Sequence, residues 1–368
     1  MSEEVNRTAD SGEASPEILL KVENLSMHFG KGADKKKAVD NVSFDVRRGE
    51  IFGLVGESGC GKTTTGRTII RLYDATSGNV YFKGTRIVAG TEGYREEIRK
   101  QKQLKKQLLK EGKAEEAAKA DSRIGELTEE IKKASYDHKH AKRELVTKIQ
   151  MIYQDPVASL DPRMTVREII AEGLRIQGVR DKKLIEEKVF EMLDTVGLVH
   201  EHADRYPHEF SGGQRQRIGI ARSIIMQPEM IIADEPISAL DVSIRAQVIN
   251  LLNDLRHSMG LTVLFIAHDL SVVKYISDRI GVMYYGNLVE LADSDELFRN
   301  PLHPYTRSLL SAIPLPDPET EKKRTRIRYN PLTDHDYAGE TPEFREVKPG
   351  HFVRCSKKEF ERYLEEIK

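Results

Sequence analysis

Residues 51–63 read Ile51-Phe52-Gly53-Leu54-Val55-Gly56-Glu57-Ser58-Gly59-Cys60-Gly61-Lys62-Thr63. The first five form a short apolar run that follows a Gly49-Glu50 turn, the pattern of a buried strand. The next eight fit G-x-x-x-x-G-K-[ST], and residues 63–72 continue with a helical pattern. Strand, glycine-rich loop and helix in that order are what a phosphate-binding loop requires. The glycines let backbone N–H groups curl around phosphate oxygens, and the helix adds the positive end of its dipole. Nucleotide contacts are therefore expected from Gly56, Glu57, Ser58, Gly59, Cys60, Gly61, Lys62, Thr63 and Thr64. Lys62 would reach the β- and γ-phosphates and the Thr63 hydroxyl would ligate Mg²⁺. Cys60 reads as a small filler rather than a catalytic thiol, because such a loop works through its backbone.

Outward from this stretch, residues 18–27 and 38–46 alternate as strands around a Gly- and Lys-rich turn at 30–37. Further apolar runs at 149–153, 230–233, 262–267 and 279–284 read as strands. They alternate with helical patterns at 166–178, 182–196, 213–226 and 244–259, which predicts an α/β domain with a largely parallel sheet. The run Met230-Ile231-Ile232-Ala233-Asp234-Glu235 ends in two carboxylates. An acidic pair at a strand end is ordinarily a turn; downstream of a phosphate loop it points to catalysis. Asp234 suits the outer shell of Mg²⁺, and Glu235 suits polarising an attacking water. The segment Phe210-Ser211-Gly212-Gly213-Gln214 opens a helix, with Ser211 as its cap and two glycines exposing further N–H groups. One ATP does not need two such loops from the same chain. A second glycine-rich helix start therefore points to a dimer with shared sites.

The chain has 368 residues, 58 basic against 59 acidic, and a formal net charge of −1. That balance argues neither for nucleic acid nor for an acidic solvating tail. Two cysteines make no disulfide framework, the polar start lacks a signal-peptide pattern, and no run approaches the roughly 20 apolar residues of a membrane span. Residues 1–18 read as a disordered leader. Residues 91–148 hold 28 charged residues of 58 and no proline. Within them Ile124, Leu127, Ile131, Ala134, His138, Ala141 and Leu145 keep a 3-4 spacing, matched more loosely by Tyr94, Ile98, Gln101 and Leu108. This reads either as an antiparallel hairpin with a coiled-coil seam, bending at Gly112 and the Ala/Lys-rich stretch after it, or as solvated charged helix. Eight of the fourteen prolines follow residue 300, which predicts an extended appendage rather than a second packed domain, closed by a helix over 357–367.

Taken together, these motifs resemble the nucleotide-binding subunit of ABC transporters. Residues 56–63 match its Walker A, Ser211-Gly212-Gly213-Gln214 its signature with Phe210 where Leu is commoner, and residues 230–235 its Walker B. Gln154 falls at the Q-loop, Ser238 and Asp241 in the D-loop that couples the two chains, and His268 at the H-loop; Phe29 matches the aromatic that stacks on adenine. The wording is narrower still. Tyr153-Gln154-Asp155-Pro156 leading to Ser159-Leu160-Asp161-Pro162-Arg163-Met164-Thr165-Val166, residues 238–248, Ala267-His268-Asp269-Leu270 and His303-Pro304-Tyr305-Thr306 resemble oligopeptide and dipeptide importers, most closely the F-type ATPase.

The resemblance implies a P-loop NTPase core of ABC type over 19–300, with an antiparallel β subdomain and a helical signature subdomain at about 160–228. The insert and the 301–368 extension would be additions. It implies ATP and Mg²⁺ as ligands, with Thr63, Gln154 and Asp234 around the metal and Glu235, His268, Gln154 and Lys62 in catalysis. It also implies a D-type ATPase as heterodimer partner, two integral membrane permeases and an extracellular solute-binding protein, with the chain peripheral at the cytoplasmic face. The same motor could serve nickel or glutathione, and a non-transport ABC ATPase with a coiled-coil insert is the other alternative. The insert's small basic excess, 16 against 12, gives little support for nucleic acid. Relatives often carry a cysteine cluster in the extension that resembles an iron–sulfur site. Here only Cys355 matches it, and a cluster needs about four thiolates, so none is expected.

Overall fold

The computed structural model describes residues 17–30, 35–313, 326–337 and 339–367. Most of the expected leader, part of the 30–37 turn and part of the proline-rich stretch lie outside them. The chain begins with β1 (Ile18–Phe29), β2 (Lys36–Arg47), β3 (Ile51–Val55) and α1 (Lys62–Ile69). Next come β4 (Ser77–Phe82), β5 (Thr85–Thr91), α2 (Glu92–Lys110), α3 (Ala114–His140) and α4 (Arg143–Val146). β6 (Ile149–Ile152) leads into α5 (Val166–Ile176), α6 (Lys182–Thr195) and α7 (Gly212–Ile224). β7 (Met230–Asp234), α8 (Val242–Met259), β8 (Thr262–Ala267), α9 (Leu270–Ile276), β9 (Arg279–Tyr284) and β10 (Asn287–Asp293) complete the cassette. The C-terminal part adds α10 (Ser294–Arg299), α11 (Pro304–Ser311), β11 (Glu343–Lys348), β12 (His351–Cys355) and α12 (Lys357–Glu366).

β2-β1-β4-β5 form a four-stranded antiparallel sheet, and eight strands form the main sheet in the order β11-β12-β10-β9-β3-β8-β7-β6. The strands from β9 to β6 run parallel. These strands are mostly apolar because both faces are covered, with polar residues such as Gln150, Asp234, Thr262 and Arg279 as the exceptions. Ile51 and Val55 of β3 enter one core with α5–α9, while Phe52 and Leu54 enter another under the antiparallel sheet. The second core is closed from the other side by β1 and β2 residues such as Leu20, Val39 and Phe44.

The charged insert folds back on itself at Gly112, whose φ of 75° suits the turn. Ala117, Ala120, Leu127 and Ala134 of α3 and Leu108 of α2 are buried along the contact, with Ile124 and Ile131 half-buried between them. Two expectations are corrected. α3 ends at His140, so Ala141 and Leu145 leave the seam and pack against the core under the antiparallel sheet. The Ala/Lys-rich stretch after Gly112 is the first turn of α3 and not part of the bend. The base of the hairpin is fastened by Arg86 of β5, nearly buried, whose Nε and Nη2 donate to Asp137 Oδ2 at 2.9 and 2.6 Å. Arg71 also donates to the His138 carbonyl at 2.6 Å.

The extended appendage is the larger correction. β12 pairs with β10 antiparallel and β11 pairs with β12, so the end of the chain widens the main sheet. Val347, Val353, Cys355 and Tyr363 bury a small core of their own with Leu302. Prolines stand at element boundaries here, Pro304 opening α11, Pro342 just before β11 and Pro349 in the turn between β11 and β12, so their density did not exclude paired strands. Polar groups are buried here too. Burial alone would raise the Glu359 carboxyl, but the hydrogen bond from His335 and the N–H groups of Ser356 and Asp336 outweigh it and hold it at about 2. Burial, reinforced by the neighbouring His335, pushes the His303 imidazole down to about 3.

Two outcomes are expected. Removing the carboxylate with Asp137→Ala leaves Arg86 with the long contacts to Asn79 at 3.4 Å and Glu130 at 4.0 Å, and loosens the base of the hairpin. Proteolysis within residues 92–140 should accelerate severalfold while the melting of the cassette moves by only about 1–2 kcal/mol. In acid, both His303 and Glu359 bind fewer protons folded than unfolded: His303 between 6.5 and about 3, Glu359 between 4.5 and about 2. Stability therefore falls as pH drops through those windows. His303→Asn keeps an acceptor for the Tyr305 N–H and does not titrate. It should flatten the thermal-midpoint slope between pH 6.5 and 4.5, and parallel slopes in the two chains would refute the assignment.

Candidate functional site

The loop between β3 and α1 is shaped by glycines that admit no side chain. Gly56 has φ 152° and a Cβ there would meet the Met283 carbonyl at 2.2 Å; Gly61 has φ 106° and its Cβ would meet the Ala38 carbonyl at 2.2 Å. The Lys62 ammonium turns back into the loop and donates to the carbonyls of Gly56 at 2.7 Å and Glu57 at 2.9 Å. Cys60 is buried, and burial pushes its thiol up, against the pull of Lys62. That matches a filler better than a nucleophile.

Two strands away, β7 delivers the acidic pair. The Thr63 hydroxyl donates to Asp234 Oδ1 at 2.7 Å. Asp234 is fully buried and its desolvation raises the carboxyl, opposed by the Thr63 hydrogen bond and by Arg67. Among the described residues its Oδ2 has no hydrogen-bond partner, and the Arg67 guanidinium lies 3.9 Å away. Glu235 turns the other way: its φ is 45°, a left-handed backbone that non-glycine residues adopt at a cost, often at working sites. The Glu235 N–H donates to the Ile266 carbonyl at 2.9 Å, and its own carbonyl accepts from the N–H and hydroxyl of Ser238 at 3.2 and 3.1 Å. One carboxylate oxygen, Oε2, then accepts from Gln154 Nε2 at 3.1 Å and lies 3.1 Å from His268 Nδ1.

Thus Lys62, Thr63, Asp234, Glu235, Gln154, His268 and Ser238 converge within one chain. Ser211, Gly212, Gly213 and Gln214 do not join them. Ser211 caps α7 through Gln214, each side chain accepting from the other's backbone, and Gly213 packs where a Cβ would strike Ile244 at 2.5 Å. Among the described residues, no hydrogen bond links 211–214 to 56–64. Asp241 begins α8, exposed and without a side-chain cap bond. Phe29 is 39% exposed, and its ring lies perpendicular to that of Tyr73 at 5.4 Å. Sequence reasoning missed Tyr305 as a site residue. Its phenol oxygen accepts the Glu57 N–H at 3.0 Å from 248 positions away, a separation that no local pattern signals.

The ABC transporter family matches residues 39–145 and 125–238, and the oligopeptide/dipeptide transporter C-terminal region matches residues 289–346. The oligopeptide transport ATP-binding protein OppF of Bacillus subtilis is 55% identical over 94% of this chain and 99% of its own. This chain belongs to the oligopeptide/dipeptide importer family of ABC transporter ATP-binding subunits. OppF of Streptococcus mutans is 50% identical over 94% of this chain and 97% of its own. A dimeric ATP-binding cassette solved in a post-hydrolysis state with ADP and Pi is similar at TM-score 0.55 and 24% identity. It covers 75% of this chain and 99% of its own, and shares the fold. As an ABC ATPase subunit the chain binds and hydrolyses nucleotide.

The loop geometry makes a sharp prediction. Gly61→Ala combines a Cβ 2.2 Å from the Ala38 carbonyl with a φ of 106°, so the loop must open. Titration with fluorescent ATP should show affinity lowered by about a hundredfold or more, as a clash of several kcal/mol requires; near-normal affinity would refute the cradle.

Proposed function

We propose that this cassette hydrolyses ATP in sites composed of two chains and so powers the import of peptides through an ABC importer. The observation that carries the reading is the convergence of Gln154 and His268 on Glu235 Oε2 beside the Thr63–Asp234 bond. In this reading the phosphate loop and Lys62 bind the β- and γ-phosphates, Thr64 adds an N–H, and Phe29 stacks on adenine. Glu235 polarises the attacking water. Gln154 and His268 hold its carboxylate in place, and His268 approaches the phosphate that leaves.

Catalysis here is positioning and charge neutralisation. The orphaned, buried Asp234 Oδ2 fits a cation carried in with the nucleotide. Magnesium bound with ATP would be held by the Thr63 hydroxyl and Asp234, with Gln154 at hand, and would neutralise charge on the phosphates. The two cysteines do not fit a cluster. Cys60 lies in the phosphate loop, while Cys355 is buried in β12 with its thiol pushed up to about 12.

Among the described residues, the start of α7 makes no hydrogen bond to the phosphate loop of its own chain, which supports a partner whose loop it completes. Ser238 and Asp241 would lie at that junction. As the resemblance to peptide importers implies, the partner would be a D-type ATPase, and the assembly would include two membrane permeases and an extracellular solute-binding protein that select the peptide. No helix of the described residues is long and apolar enough to cross a membrane. In this reading the chain would be held at the cytoplasmic face by its permease partners, with no role for nucleic acid.

Glu235→Gln keeps the shape of the side chain and the Gln154 contact but removes the charge. In the assembled transporter it should retain ATP binding and lose hydrolysis by about two to four orders of magnitude. Turnover at the normal rate would remove Glu235 from the role.

A further inference from the structure

The phosphate loop is gripped from outside the cassette. Tyr305 is 2% exposed at the start of α11, with its ring packed by Tyr284 at 4.4 Å and Tyr329 at 5.5 Å. Its phenol oxygen accepts the N–H of Glu57 at 3.0 Å. That N–H belongs to the same peptide plane as the Gly56 carbonyl, which accepts from the Lys62 ammonium at 2.7 Å. A trans peptide points its N–H and C=O in opposite directions. Fixing the N–H on the phenol therefore fixes the carbonyl on which Lys62 rests. The glycine at 56 and the exposed Glu57, Ser58 and Gly59 offer little else to stop this plane from turning.

Tyr305 is itself held by buried groups of the C-terminal part. Glu290 on β10 is fully buried, and its Oε1 accepts from Leu302 N at 2.8 Å and faces His351 Nε2 of β12 at 2.9 Å. Its Oε2 accepts from His303 N at 3.0 Å, and His303 Nδ1 accepts from Tyr305 N at 3.1 Å. A chain of hydrogen bonds thus runs from the last strand pair through Glu290 and α11 to the loop.

We propose that Tyr305 is a positioning residue for ATP binding: by holding the Gly56–Glu57 peptide it sets where Lys62 stands, and it makes nucleotide affinity depend on the C-terminal segment. This rests on residues 56–64 being the nucleotide site. Phenylalanine at 305 keeps the ring and its packing but leaves the Glu57 N–H without its acceptor.

The test uses the full-length chain, wild type and Tyr305→Phe, with fluorescent ATP titration, thermal melting and amide hydrogen exchange at Glu57. The expected result is ATP affinity lowered roughly three- to tenfold, the size of one lost hydrogen bond. Faster exchange at Glu57 should accompany it, with melting little changed. Glu290→Gln, which trades one carboxylate oxygen for an amide facing a donor, should weaken affinity in the same direction by a smaller factor. Unchanged affinity in Tyr305→Phe, or affinity that falls only in step with lost melting stability, overturns the role. Rapid exchange at Glu57 in the wild-type chain overturns it even if the variant does not fold. Wild-type protein that binds no ATP would instead sink the reading of the loop itself.

Discussion

The hydroxyl of Thr63 donating to a buried carboxylate oxygen of Asp234 ties the loop after β3 to the end of β7. The bond is possible because β3, β8 and β7 are parallel and in register: Val55 lies beside Ala267, and Asp234 beside Ile266. Each strand therefore ends at the same edge and releases its chain there. β3 releases the phosphate loop, β7 releases Glu235, and β8 releases His268. β6, with Ile152 beside Ala233, releases Gln154 two residues on. Ligand sites of open α/β sheets form at this carboxyl edge, and here four strands supply one polar cluster without any of them bending.

That cluster carries costs the rest of the cassette offsets. Asp234 is buried with one oxygen unpartnered, and Glu235 is held in a left-handed backbone. Either would be unfavourable on an isolated strand. Apolar packing on both faces of β7 fixes the strand, and the Ile266 carbonyl and Ser238 fix the turn after it. The result is a carboxylate that can swing little and sits between an amide and an imidazole before any ligand arrives. Such preorganisation is what an electrostatic site needs, since reorienting dipoles during the reaction would raise the barrier.

The two additions to the cassette attach by different means. The charged hairpin touches the body at its base, where the Arg86–Asp137 pair and the Arg71 contact hold the end of α3. Along its length it is held by small alanines and a few leucines, so its two helices approach closely with little apolar surface. The C-terminal unit instead continues the main sheet through β10 and β12 and reaches the phosphate loop through Tyr305. It is thus mechanically continuous with the site, whereas the hairpin stands beside it.

The sequence by itself determined the strand–loop–helix at residues 51–69, the mostly apolar parallel strands, the capped glycine-rich start of α7 and the helical seam from Ile124 to Ala134, whereas His138 turns to Asp74 of the body. These are local: their signals are periodicity, glycine at left-handed positions and side-chain caps, all readable within a few residues. The importer-type wording also placed Gln154, Glu235 and His268. Only the tertiary structure decided that these three meet on one carboxylate oxygen. Only it decided that the hairpin seam stops before Ala141 and that a proline-rich tail ends as strands of the main sheet. Tyr305 reaching a peptide N–H hundreds of positions away belongs with them. Each depends on strand register or on contacts between distant segments, where the free energy lies in burial and hydrogen bonding that no stretch of sequence contains alone.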